Sequence, residues 1–123
     1  MIPGRAGALV SCVLMASVAC VALCQAQDVG LCGHIKSHLL KIDQISIYTF
    51  GKERDDKIAE AQTEFRNLLT KSNYALSAQL EELVNKYVSL TAYGHDRMRK
   101  GDSRLLVMAR ETQDKIKALC PWD

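Results

Sequence analysis

His34 and His38 stand four residues apart. On a helix that spacing turns two imidazoles to one side, where they can share a metal ion. Such a site needs a third ligand. The remaining histidine, His95, falls at the opposite end of any up-and-down helix arrangement. His34 and His38 are candidate ligands on spacing alone. The simpler reading is two polar residues flanking an apolar stripe, and the expectation is that no metal or other cofactor is held. Cys32-Gly33-His34 lacks the C-x-x-C-H order of a haem attachment site.

The chain has five cysteines. Cys12, Cys20 and Cys24 lie in an apolar leader, which leaves Cys32 and Cys120 near the two ends of the remaining domain. An even pair in an exported protein reads as a disulfide, the alternative being two buried thiols. Closing so long a loop is worth about 4–5 kcal/mol on the chain-entropy account. The pair is not in C-x-x-C spacing, so redox catalysis is not indicated.

The run Gly94-His95-Asp96-Arg97-Met98-Arg99-Lys100-Gly101 is locally basic. Arg97, Arg99 and Lys100 are candidate contacts for an anionic partner, against the plainer reading of a solvated connector. Trp122, just past Cys120, either covers the disulfide or reaches a partner. Tyr87 reads as core. Glu81 and Glu82 are adjacent on a helix and diverge, so they form no acid–base pair. No G-x-S-x-G, H-E-x-x-H or glycine-rich phosphate loop occurs, and the chain reads as a non-enzyme.

These residues need elements to position them. Of the 123 residues, Ala6 to Leu23 form one uncharged apolar run preceded by Arg5. With small Cys24 and Ala26 before the cut, residues 1–26 read as a secretory signal, leaving a domain over 27–123. Two alternatives place the chain at a membrane. The run approaches the ~20 residues of an uncleaved anchor, and Cys12, Cys20 or Cys24 would be lipidated in a lipoprotein. Each reading puts the domain outside the cytoplasm, secreted or in the cell envelope. Losing Arg5 takes one of 16 basic residues and none of the 14 acidic ones. So balanced a charge argues against nucleic acid and anionic membranes as partners.

Four apolar-periodic stretches follow. In the first, from about Gly30 to Phe50, Leu31, Ile35, Leu39 and Ile42 share a helical face. Its end, Ile45 to Phe50, is β-branched and aromatic but has no second strand to pair with. The second runs from about Glu53 to Lys71 on Ile58, Ala61, Phe65, Leu68 and Leu69. The third runs from about Tyr74 to Tyr93 on Leu76, Leu80, Leu83, Val84, Tyr87 and Leu90. The fourth runs from an Asp102 or Ser103 N-cap to Cys120, with Leu105, Met108, Ala109, Thr112, Ile116 and Leu119 inward. Gly51, Gly94, Gly101 and Pro121 read as helix stops. Thr70 to Asn73 is either a turn or the interior of one long helix over 53–93.

The predicted architecture is all-α: a small antiparallel bundle, four helices rather than three, closed by one disulfide. The functional expectation is a non-catalytic module that binds another secreted or envelope protein. The alternative is a carrier of a small apolar or haem-like ligand inside the bundle, with His34, His38, Tyr48 and Met108 as its contacts.

Overall fold

The computed structural model describes residues 16–122, with side chains from Gly30 onward. The expected signal over residues 1–26, its cut after Ala26 and the leader cysteines lie outside the residues whose side chains are described. The chain divides into two units, Met1–Leu31 and Cys32–Asp123. Of the first, the described part is helical backbone from Ala16. Among the described residues no helix is long and apolar enough to cross a membrane.

Among the described residues there are four helices: α1 (Ala16–Tyr48), α2 (Gly51–Lys71), α3 (Ala78–Met98) and α4 (Arg104–Leu119). No strand occurs among the described residues. The β-branched end of α1 stays helical because its inward positions continue the stripe. Ile35, Leu39, Ile42 and Ser46 are at most 2% exposed, and their spacing of three and four keeps them on one face. Ser46 brings a hydroxyl into that interior and satisfies it one turn back, on the Ile42 carbonyl at 2.8 Å. Ile42 meets Ala61 of α2 and Val88 of α3, with Ile45 and Ile58 closing the cluster.

The contact pairs fix the topology. His34 and His38 of α1 face Tyr74, just past α2, and Phe65 within it, while Arg54 of α2 reaches Ala92 and Asp96 of α3. Asp43 meets His95. Neighbours in sequence therefore run antiparallel, and α1 runs parallel to α3. Cys32 of α1 joins Cys120 at the end of α4, with 5.2 Å between Cα atoms across 88 residues of sequence. The protein is a small all-α bundle closed by one disulfide.

The uncertain break resolves as a turn. Asn73 takes the left-handed conformation, φ 61°. Its N–H reaches the Thr70 carbonyl, and that of Tyr74 reaches Leu69. These are the two bonds of a Schellman stop, with asparagine where glycine is commoner. The chain stays out of helix until Ser77, whose hydroxyl accepts from the Leu80 N–H at 3.2 Å, so α3 begins four residues later than its apolar spacing predicts.

Two glycines do something other than stop a helix. Gly51 opens α2 with φ 66° after the extended Phe50, a conformation glycine adopts without strain. Gly94 lies inside α3 and is buried. A Cβ there would stand 2.7 Å from Leu106 Cδ2 and 3.2 Å from the Leu106 backbone nitrogen. Glycine is thus the space into which α4 packs, and α3 and α4 approach closely. Gly101, φ 85°, does punctuate the next turn. Ser103 is the N-cap of α4, and Asp102 just before it accepts from the Arg104 N–H through Oδ1 at 3.0 Å. Its bonds to Arg104 hold the Asp102 carboxyl at about 2, below the usual carboxylate range.

The inward faces are narrower than predicted. On α4, Ala109, Thr112 and Ile116 are buried, but Met108 and Leu119 are 43% and 46% exposed. Each helical step turns about 100°, so neighbours of a buried position fall on the flank. Leu68 is displaced from the α2 stripe for the same reason.

Candidate functional site

The three histidines are not brought together. His38 is buried, its ring stacked on Phe65 at 4.1 Å between centroids. Its Nε2 donates to Gln62 Oε1 at 2.6 Å. His34 tilts instead against the Tyr74 ring, 5.8 Å away. His95 contacts Asp43 Oδ1 through Nε2 at 3.0 Å, towards the other end of the bundle. Among the described residues no group of three or more His, Cys, Asp or Glu is placed to hold a metal ion.

Burial lowers the pKa of His38 below its ordinary 6.5, the bond to Gln62 opposing and the Lys41 charge adding to the effect. In the unfolded chain this imidazole takes up a proton near 6.5, while in the bundle it resists one. Stability from this residue is therefore complete above 6.5 and lost as pH falls from there through the folded value. Urea midpoints measured between about pH 7.5 and about pH 5 should fall on acidification, by no more than about 1.4 kcal/mol per pH unit from one proton. His38→Gln should flatten this slope. A slope unchanged in His38→Gln would remove His38 from the account.

The groups named for an interior carrier also part company. Tyr48 is 81% exposed and Met108 lies on the outer flank of α4. His34 and His38 instead border a groove with Phe65 and Leu68.

The basic run lies elsewhere than expected. It is the last turn of α3 and the turn after it, not a free connector. Arg99 is spent on structure. Its Nη2 donates to the carbonyls of Ser46, Ile47 and Thr49 at 3.1, 3.2 and 3.3 Å. α1 has no basic residue in its own last turn, and the guanidinium of α3 supplies the charge its C-terminus favours. Arg99 also donates to Asp96 at 2.9 Å and lies over the Phe50 ring.

Asp96 has a second partner that the sequence did not suggest. Arg54 is 4% exposed, donating to Asp96, to Asp55 and to the Ala92 carbonyl. Its guanidinium lies over the Tyr93 ring, 5.6 Å from the centroid. One carboxylate thus ties two guanidiniums, each facing an aromatic ring. Arg54 stands in sequence among Glu53, Asp55 and Asp56, and nothing in that acidic surrounding marks it as buried.

The result is an aromatic and basic end of the bundle. Phe50 is 69% and Tyr93 59% exposed, with Ile47, Tyr48 and Met98 also outward. Arg97 and Lys100 stand at the same end and are exposed. Trp122 is at the opposite end, with Lys117 Nζ 6.0 Å from its ring centroid.

Trp122 instead closes one end of a cleft of about 290 Å³ between α1, α3 and α4. Asp43 and His95 stand at the other end, and Leu39, Leu106 and Ala109 form its apolar wall. Tyr87 and Thr91 enter it one turn apart on α3. Burial pushes the Tyr87 phenol above its ordinary value. The Thr91 hydroxyl is fully covered and has no partner in hydrogen-bonding geometry. Its contact with the Tyr87 hydroxyl lowers the phenol's pKa, against the larger effect of burial. Ser46 and Thr112, buried in other helices, each donate to the carbonyl one turn back. Thr91 does not, and an unmade bond of this kind costs about 1–3 kcal/mol.

Comparison with protein-family models, with curated proteins and with solved structures gave no match. Any functional reading therefore rests on the geometry alone.

Proposed function

We propose that this protein is a non-catalytic interaction module, exported from the cytoplasm, that docks on another secreted or envelope protein through the aromatic and basic end of its bundle. The observation that supports the reading is the exposure of Phe50 and Tyr93 on side chains already fixed in place. Each ring faces a guanidinium, and both guanidiniums are held by Asp96. Aromatic and arginine side chains dominate the energetics of protein interfaces. Rings immobilised before binding lose little conformational freedom when a partner covers them. Arg97 and Lys100 at the rim favour a partner whose facing surface is acidic, and act mainly on the rate of encounter.

The test is site-specific photo-crosslinking in the producing cells. A photoreactive phenylalanine analogue replaces Tyr48 in one chain and Glu111, on the outside of α4, in another. The expected result is one defined protein adduct from position 48 and none from 111. Adding Arg97→Glu and Lys100→Glu should reduce the adduct at least about fivefold, as charge at a rim controls association. Equal adducts from both positions, or none from 48, overturn the reading.

A further inference from the structure

The basic run at the end of α3 has a property that docking does not use. Residues 97–101 are all exposed, and no other run of exposed residues among the described ones is as long. Arg99 and Lys100 are the only two adjacent basic residues in the chain, but they are not equivalent. Arg99 is held by the carbonyls that end α1. Lys100 stands in the turn and makes neither ion pair nor side-chain hydrogen bond among the described residues. The peptide bond after it leads into Gly101, where φ is 85° and no atom lies within 4 Å of the place a Cβ would take. The turn is held by backbone bonds from Lys100 and Asp102 to the Arg97 carbonyl and from Gly101 to that of Met98, each 2.9 Å long. These bonds lie at the surface, so the segment opens locally while the core stays packed. Exposed tips of small and polar residues are where proteolytic nicking concentrates. The other loop that follows a lysine, over 72–77 after Lys71, is pinned instead. Tyr74 lies against His34, and Ser72, Tyr74 and Leu76 are half-buried.

We propose that the Lys100–Gly101 bond is a processing site for a trypsin-like endoprotease outside the cytoplasm, and that the processed protein is two chains joined by the Cys32–Cys120 disulfide. An enzyme with a carboxylate at the base of its specificity pocket takes the Lys100 ammonium, and the exposed Arg97 adds charge that speeds the encounter. One water is consumed. The C–N bond breaks, the water oxygen joins the Lys100 carbonyl carbon to give a carboxylate, and Gly101 leaves as a protonated amine. The cut falls between the two cysteines, so the products cannot part while the disulfide is intact. α4 also stays seated through Leu106 against Gly94 and through the buried Ala109, Thr112 and Ile116. Meeting such an enzyme rests on the export proposed above, and not on docking at the aromatic end.

The protein is recovered from its producing cells and weighed by mass spectrometry before and after reduction. The expected result is one species heavier than the uncut chain by one water, which reduction divides into a chain ending at Lys100 and a chain beginning at Gly101. In a second arm, purified uncut chain with its disulfide formed is treated with a trace of lysine-specific endoprotease, beside its Lys100→Gln variant. Cleavage of a folded chain tracks how often the segment opens. The unchanged chain should be cut first after Lys100, at least about tenfold faster than after Lys71, with the fragments held together until reductant is added. Lys100→Gln should melt at the same temperature and survive at least about tenfold longer. An uncut chain recovered from outside the cytoplasm overturns the proposal alone, and an uncut chain confined to the cytoplasm overturns it together with the export reading. A first cut after Lys71, or fragments that part without reductant, also overturns it.

Discussion

Replacing Cys32 and Cys120 together by alanine should lower stability by about 4–5 kcal/mol, which for a domain of this size moves the melting temperature by about 20 °C or more. The magnitude follows from the sequence separation of 88 between the two cysteines. In the unfolded chain the bond removes a large share of the conformations open to an unlinked one. Both cysteines are almost wholly buried, at 1% and 3% exposure, so alanine leaves a small void that adds to the loss. Thermal unfolding followed by circular dichroism, with and without reductant, separates the two contributions. Reduction of the native chain should reproduce most of the loss, while reductant should leave the double alanine variant unmoved. A shift of only a few degrees would mean that the unfolded chain holds its ends together without the bond. With so small a core, a loss of this size is comparable with the whole stability of many domains.

The second large effect is expected at Arg54. Arg54→Ala removes a buried side chain and its bonds to Asp96, Asp55 and the Ala92 carbonyl. Asp55 is open to solvent and Asp96 keeps Arg99, so neither carboxylate is left stranded. The cost is therefore below that of orphaning a fully buried charge. About 2–4 kcal/mol is expected, from lost charged hydrogen bonds and the void beneath Tyr93. Arg54→Met separates the two, since its stem fills much of the space. It should recover about half of the loss. Denaturant midpoints at low and at high salt provide the measurement. A cost under about 0.5 kcal/mol for Arg54→Ala would class the contact with ordinary surface pairs.

Much of the fold was legible in the sequence because it depends on patterns that short windows contain. Spacing by three and four placed Ile35, Leu39 and Ile42 on one face, and an even pair of cysteines in the domain gave the closure. Boundaries were less legible where a side chain acts at long range. Gly94 looks like a stop, yet its lack of a Cβ answers to Leu106, twelve positions later in sequence and on another helix. α3 starts at Ala78 behind the Ser77 cap rather than at Tyr74, since a hydroxyl cap outweighs the apolar spacing before it.

The candidate sites were less legible still. Arg97 and Lys100 were found from local charge, but Arg99, identical by that measure, caps a helix roughly fifty residues earlier in sequence. Thr91, Arg110 and Asp43 come from three different helices. Nothing in the order of residues along the chain says that they border one cleft. Tyr87 and Thr91 at helical spacing were the one available signal, and that spacing is shared by every packed stripe.

The placement of Cys32 against Cys120 has a mechanical consequence. A pull applied to the chain before Cys32 and after Cys120 is carried from one sulfur to the other and does not reach the helices between them. The four-helix core then hangs as a closed loop outside the line of tension. Force strong enough to unzip a bundle loaded through its ends would leave this one folded, and a reducing agent would switch the load onto the helices at once.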